Sequence, residues 1–107
     1  MKVLFDQGTP VPLRALLPGH EVATAYERGW STLTNGEFLD AAEAAGFTAI
    51  VTTDKNIRHQ QNNEGRTFGV LVLPTTNWPT IRRNGARVAD ALYELTPGTI
   101  LEVSFES

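Results

Sequence analysis

Three observations predict an α/β sandwich built on a mostly parallel sheet of about five strands. Short apolar, β-branched runs alternate with stretches of helical spacing along almost the whole chain. The strongest runs, Thr48–Thr52 and Phe68–Leu73, are apolar without alternation, as in strands covered on both faces. Two of the runs lead into an aspartate, Asp6 directly and Asp54 after Thr53, where a strand would hand over to a helix. At 107 residues the chain is expected to be one domain over 1–107.

Lys2-Val-Leu-Phe5 reads as a buried strand that opens onto Gln7-Gly8-Thr9-Pro10. A short helix follows, with Pro10 or Pro12 near its start and Leu13, Leu16 and Leu17 on one face; Pro18-Gly19 ends it. Glu21–Ala25 is a weak second strand, and Tyr26–Trp30 is at most one helical turn. The clearest helix covers Asn35 to Ala45. Thr34 or Asn35 caps it, Glu37 and Asp40 enrich its early turns, and Gly46 stops it in the left-handed conformation that glycine adopts best. Thr48–Thr52 is the third strand. A short helix is expected over Lys55–Gln61, a loop over Asn62–Gly65, and a central strand over Phe68–Leu73. A single helix capped by Thr80 is expected over Thr80–Leu95, then a turn at Pro97-Gly98 and a last strand over Thr99–Phe105.

Composition excludes several chemistries. With no Cys there is no disulfide scaffold, thiolate zinc site, iron–sulfur cluster or cysteine nucleophile. His20 and His59 make no zinc-binding spacing. No apolar run approaches the length of a membrane span, and the start of the chain lacks a signal-peptide core, so a cytoplasmic protein is expected. The net charge of −3 argues against a nucleic-acid partner, but it is unevenly spread. Residues 1–54 carry −4, residues 55–87 carry +5, and residues 88–107 carry −4. A basic middle between acidic flanks is compatible with an RNA track.

In parallel α/β folds ligands bind beyond the carboxyl ends of the strands. Asp6 and Asp54 then emerge on one rim, with Glu37 as a third candidate whose rim the sequence does not fix. Carboxylates gathered there suit Mg²⁺ or Mn²⁺. The same residues have a purely structural reading, with both aspartates as helix caps and Glu37 as a partner of the helix dipole. Lys55, Arg58 and Arg66 offer positive charge, and the polar block that includes Gln61 and Asn62 offers contacts to sugar or base.

Lys2–Pro10, Leu33-Thr-Asn-Gly-Glu37-Phe-Leu and Gly46–Ile57, with its Val-Thr-Thr-Asp54-Lys segment, resemble the PIN-like domains, in particular the short bacterial proteins of toxin–antitoxin modules. The resemblance implies an α/β/α sandwich with strand order 3-2-1-4-5, a preference we hold over the receiver-like order 2-1-3-4-5. It implies a ribonuclease that uses Mg²⁺ or Mn²⁺ held by Asp6, Asp54 and Glu37, with Gln7, Asn35 and Thr52 supporting them. The family usually has an Asp where this chain has Asn35. It also has a further helical Glu, for which Glu21 and Glu27 are the candidates here. An antitoxin protein and a homodimer are the implied partners. The alternatives are a catalytically degenerate binding module that acts through a protein partner, and a receiver-like phosphoacceptor domain.

Overall fold

The computed structural model describes residues 1–57 and 63–106. Its strands are β1 (Lys2–Phe5), β2 (Glu21–Thr24), β3 (Ala49–Thr52), β4 (Gly69–Val72) and β5 (Ile100–Glu102). They form one all-parallel sheet in the order β2-β1-β3-β4-β5. The α/β class and the five-stranded sheet are those the sequence predicts.

The strand order is not 3-2-1-4-5, and burial explains why. That order would put β3 at an edge, yet every residue of Ala49-Ile-Val-Thr52 is buried. Such a strand needs neighbours on both sides, and β1 and β4 supply them. β2 carries Glu21 and leaves most of its length partly exposed, which suits an edge.

Side chains alternate between two apolar layers, as strand geometry requires. Val3, Phe5, Val51 and Leu71 point to one face, where they meet Leu13, Leu17, Ile81, Val88 and Leu92. Those partners come from a 3₁₀ helix (Val11–Leu16) and its C-cap Leu17, and from helices α2 (Trp78–Arg83) and α3 (Gly85–Glu94). Leu4, Ile50, Val70 and Val72 point to the other face, against Phe38, Leu39 and Ala42 of helix α1 (Asn35–Ala44) and against Phe47 and Phe68. The result is a three-layer sandwich. The β1–β2 and β4–β5 crossovers advance in opposite directions across the sheet. Both lay their helices on the same face, so they have opposite hands.

α1 starts as the sequence predicts. The Thr34 hydroxyl accepts from the Glu37 N–H at 3.3 Å, and the Glu37 carboxylate accepts from the Thr34 N–H at 3.0 Å, a complete capping box. Gly46 follows the helix at φ 83°. Trp30 covers the edge of this layer, edge-on to Phe38 and Phe47 with ring centroids 6.5 and 6.2 Å away.

The helix expected over Thr80–Leu95 is instead two helices broken at Asn84, and its cap is Asn77. Pro79 sets the first turn two residues earlier than expected, and Asn77 Oδ1 accepts from the Thr80 N–H and hydroxyl at 3.0 and 2.9 Å. The break has a tertiary cause. Asn84 is buried, and its amide bonds the Thr80 carbonyl and both the carbonyl and the N–H of Glu106, tying the C-terminal segment to the helix pair. The short helix expected over Lys55–Gln61 falls mostly outside the described residues; Lys55 and Asn56 form a turn.

Gly69 lets β4 start beneath the turn that follows α3. A Cβ there would lie 2.5 Å from Leu95 Cγ and 2.7 Å from the Thr96 carbonyl oxygen. Gly69→Ala is expected to cost about 1–3 kcal/mol, as overpacking does. A fall in the urea midpoint at unchanged m-value would show it; an unchanged midpoint would mean that the turn yields freely.

Candidate functional site

The strand order creates one reversal. From β1 the chain moves outward to β2, then crosses back over β1 to add β3 on its other side. The connections leave the carboxyl ends of β1 and β3 toward opposite faces, which opens a crevice there. Asp6 and Asp54 flank it.

Asp6 immediately follows β1, and its N–H donates to the Val51 carbonyl at 3.1 Å, so pairing with β3 continues up to the carboxylate. Three donors hold that carboxylate. Asp6 Oδ1 accepts from the Gly8 N–H at 3.2 Å and from the Thr9 hydroxyl at 2.8 Å, and Oδ2 accepts from the Thr52 hydroxyl. Thr52 Oγ1 in turn accepts from the Asp54 N–H at 3.0 Å, so one hydroxyl links the two acidic positions. Asp54 Oδ1 accepts from the Asn56 N–H at 2.9 Å, an Asx turn that fixes the second carboxylate. Gly8 is required by close approach, because a Cβ there would lie 2.6 Å from Thr53 Oγ1.

A cavity of about 200 Å³ lies between these acids and α1, lined by Asp6, Gln7, Asn35, Thr52 and Asp54 over an apolar floor that includes Ile50 and Phe38. Burial raises the pKa of Asp6 above its ordinary value of 3.8, and the negative charge of Asp54 pushes the same way; the bonds from Thr52, Thr9 and Gly8 oppose the rise.

The start of α1 does lie on this rim, which is how Asn35 reaches the cavity. Glu37 does not line it. Two residues along a helix turn a side chain by about 200°, so Asn35 and Glu37 face different ways. Glu37 is exposed, and the backbone N–H and hydroxyl of Thr34 hold its carboxyl below the usual value.

Lys55 is exposed directly after Asp54. Arg66 is elsewhere. It precedes β4 and therefore sits at the opposite end of the sheet, where it bonds Asp40 at 2.7 Å and Glu43 at 3.2 Å on α1. Arg58, Gln61 and Asn62 lie outside the described residues. Glu21 begins β2 at the end of the sheet away from the site. Glu27 pairs with Arg14 at 2.8 Å beside the rim. The sequence reading missed Thr9, Gly8 and Thr53. The signal was present, since an Asp followed by Gly and Thr is the pattern of a side chain that bonds its own turn.

The chain matches no protein-family model, no curated protein sequence and no solved structure. Among the described residues no helix is long and apolar enough to cross a membrane. Nor does any group of three or more His, Cys, Asp or Glu among them form a cluster that could hold a metal ion. The donor set is therefore two carboxylates. A carboxylate offers about four acceptor positions, of which Asp6 uses three, so one remains. Two hard-oxygen ligands with water completing the shell suit Mg²⁺, which commonly takes only one or two carboxylates from its protein. The residues present fit such an ion.

Because the folded-state pKa of Asp6 is raised, the native state binds more protons than the unfolded chain between 3.8 and that raised value. Stability from this group is full below 3.8 and lost as pH rises through the folded pKa. In metal-free buffer, Asp6→Asn is expected to gain stability relative to the parent as pH climbs through that window and to lose the advantage in acid. Urea melts across the acid range read this difference; a pH-independent difference would contradict it.

Proposed function

We propose that this rim binds one divalent cation of the Mg²⁺ or Mn²⁺ type through Asp6 and Asp54, and that the chain is a metal-dependent ribonuclease of PIN-like type. The observation that carries the reading is the convergence of Asp6 and Asp54 on one cavity at the point where the strand order reverses. When bound, such an ion polarises a phosphoryl oxygen and makes water a better nucleophile.

The chain's own residues do the rest. Thr52, Thr9 and the Gly8 N–H orient the Asp6 carboxylate, and the Asn56 N–H orients Asp54. Asn35 lines the same cavity across from the two acids. Lys55 adds positive charge beside Asp54 for the neighbouring phosphate. Within this reading, an antitoxin chain and a homodimer are partners suggested by the resemblance alone.

The strand order favours a second reading, since β2-β1-β3-β4-β5 is also the receiver order. A receiver would take a phosphoryl group on Asp54. Two departures weigh against it: Asp6 is followed by Gln7 rather than a second acid, and no Lys exists beyond Lys55. Labelling of Asp54 by acetyl phosphate would favour it.

The test is cleavage of an unstructured RNA in Mn²⁺. The parent protein is expected to cleave. Thr52→Val should lose roughly ten- to a hundredfold, as the loss of a ligand-orienting partner does, and Asp6→Asn or Asp54→Asn should lose more. Glu37→Gln keeps the capping box and should cleave like the parent. Calorimetric Mn²⁺ binding that depends on Asp54, without any cleavage, would point to the degenerate binding module instead. No Mn²⁺ binding would overturn the metal site.

A further inference from the structure

The rim has a second lobe. On the β2 side of β1 lies a cleft of about 460 Å³, walled by Val11 and Tyr26 and bordered by Asp6, Gln7, Arg14 and Glu27. Asp6 and Gln7 line both this cleft and the 200 Å³ cavity, so the two lie on either side of the end of β1.

Size separates their roles. Pockets that hold whole small ligands run from about 300 to 1,000 Å³. The smaller cavity, at about 200 Å³, has room for an ion and a phosphate, whereas the cleft at about 460 Å³ takes a ring system.

Charge decides what kind of ring. Arg14 is the cleft's one cation among its lining residues, and Glu27 neutralises it at 2.8 Å. The lobe is therefore not a phosphate site. It offers an aromatic face and an amide. Tyr26 is 79% exposed, although its turn is fixed by backbone bonds from Ala25 to Phe5, Arg28 to Thr24, Gly29 to Tyr26 and Trp30 to Ala25. A large ring carried into water on a fixed turn offers its face for stacking. Gln7 is exposed and can both donate to and accept from a base edge.

We propose that the cleft is a base subsite: an unpaired nucleotide adjoining the phosphate at Asp6 and Asp54 stacks on Tyr26 and presents its edge to Gln7. This inference rests on the ribonuclease reading. A paired base would enter the cleft only at the cost of unpairing and unstacking it.

Fluorescence anisotropy of a labelled 12-nucleotide RNA tests it, with Ca²⁺ replacing Mg²⁺ to keep the strand whole. Tyr26→Ala should weaken binding about tenfold or more, within the range that stacking on one aromatic supplies. Tyr26→Phe should stay within about twofold of the parent, and a duplex of the same sequence should bind more weakly. A strand with abasic sites should bind the parent and Tyr26→Ala alike. Tyr26 is exposed, so the variants should melt like the parent.

If Tyr26→Ala binds RNA as the parent does, the subsite is overturned while the ribonuclease reading stands. The same holds if Tyr26→Ala changes only the oligomeric state, which would make Tyr26 a contact between copies of the chain. If the parent binds no RNA at all, both readings fall, and the cleavage assay then fails as well.

Discussion

The pairing of β1 with β3 is the constraint on which the molecule depends. Val3, Leu4 and Phe5 pair with Ala49, Ile50 and Val51, and all six are fully buried. A parallel pair with no wet face must be covered on both sides, which is why the short helices are split between two layers. It also determines where polar chemistry can go. Along the paired residues no side chain meets water, so the polar groups that follow them stand at the carboxyl end. Asp6 stands one residue beyond the buried Phe5, beside Thr52 at the last position of β3. The site is the place where burial stops.

That position explains the electrostatics. A carboxylate just outside an apolar core loses much of its hydration, and a second one nearby makes ionisation harder still. The chain answers with three donors on Asp6 rather than with a cation. Arginine is used differently in this fold. Arg66 joins α1 to the start of β4 through Asp40 and Glu43, Arg14 secures Glu27, and Arg87 pairs with Glu106. Those guanidiniums are structural, and the negative rim is left for something else to balance.

The two aspartates were legible in the sequence because each follows a run too apolar to be anything but a covered strand. The cap of α1 was legible because Thr34 and Glu37 stand at capping-box spacing. The strand order was legible in principle, since Glu21 marks β2 as an edge, but a resemblance pointed to another order and composition alone did not outweigh it. The break at Asn84 could not be read locally. Its cause is the backbone of Glu106, a partner 22 residues away. Likewise the need for glycine at position 8 arises from Thr53, across the β1–β3 pair.

The charge blocks show why contiguity in sequence misleads in this kind of chain. Each strand carries the backbone from one end of the sheet to the other, and each helix carries it back. Residues after a strand gather at one rim and residues after a helix at the opposite one. Asp6, Asn35 and Asp54 are far apart in sequence yet line one cavity. At the other rim Asn63 bonds the carbonyls of Phe68 and Thr99, and Gly98 closes against Gly65 and Arg66. Among the described residues, the basic stretch from residue 55 to residue 87 has Lys55 at one end of the sheet and Arg66 at the other. Lys55 stays by the acids, Arg66 is spent on α1, and Arg87 is paired. On the ribonuclease reading proposed above, a strand of RNA on this rim would be held by a cation at its phosphate and an aromatic ring under its base, a mode whose salt dependence is shallow because few phosphates are neutralised.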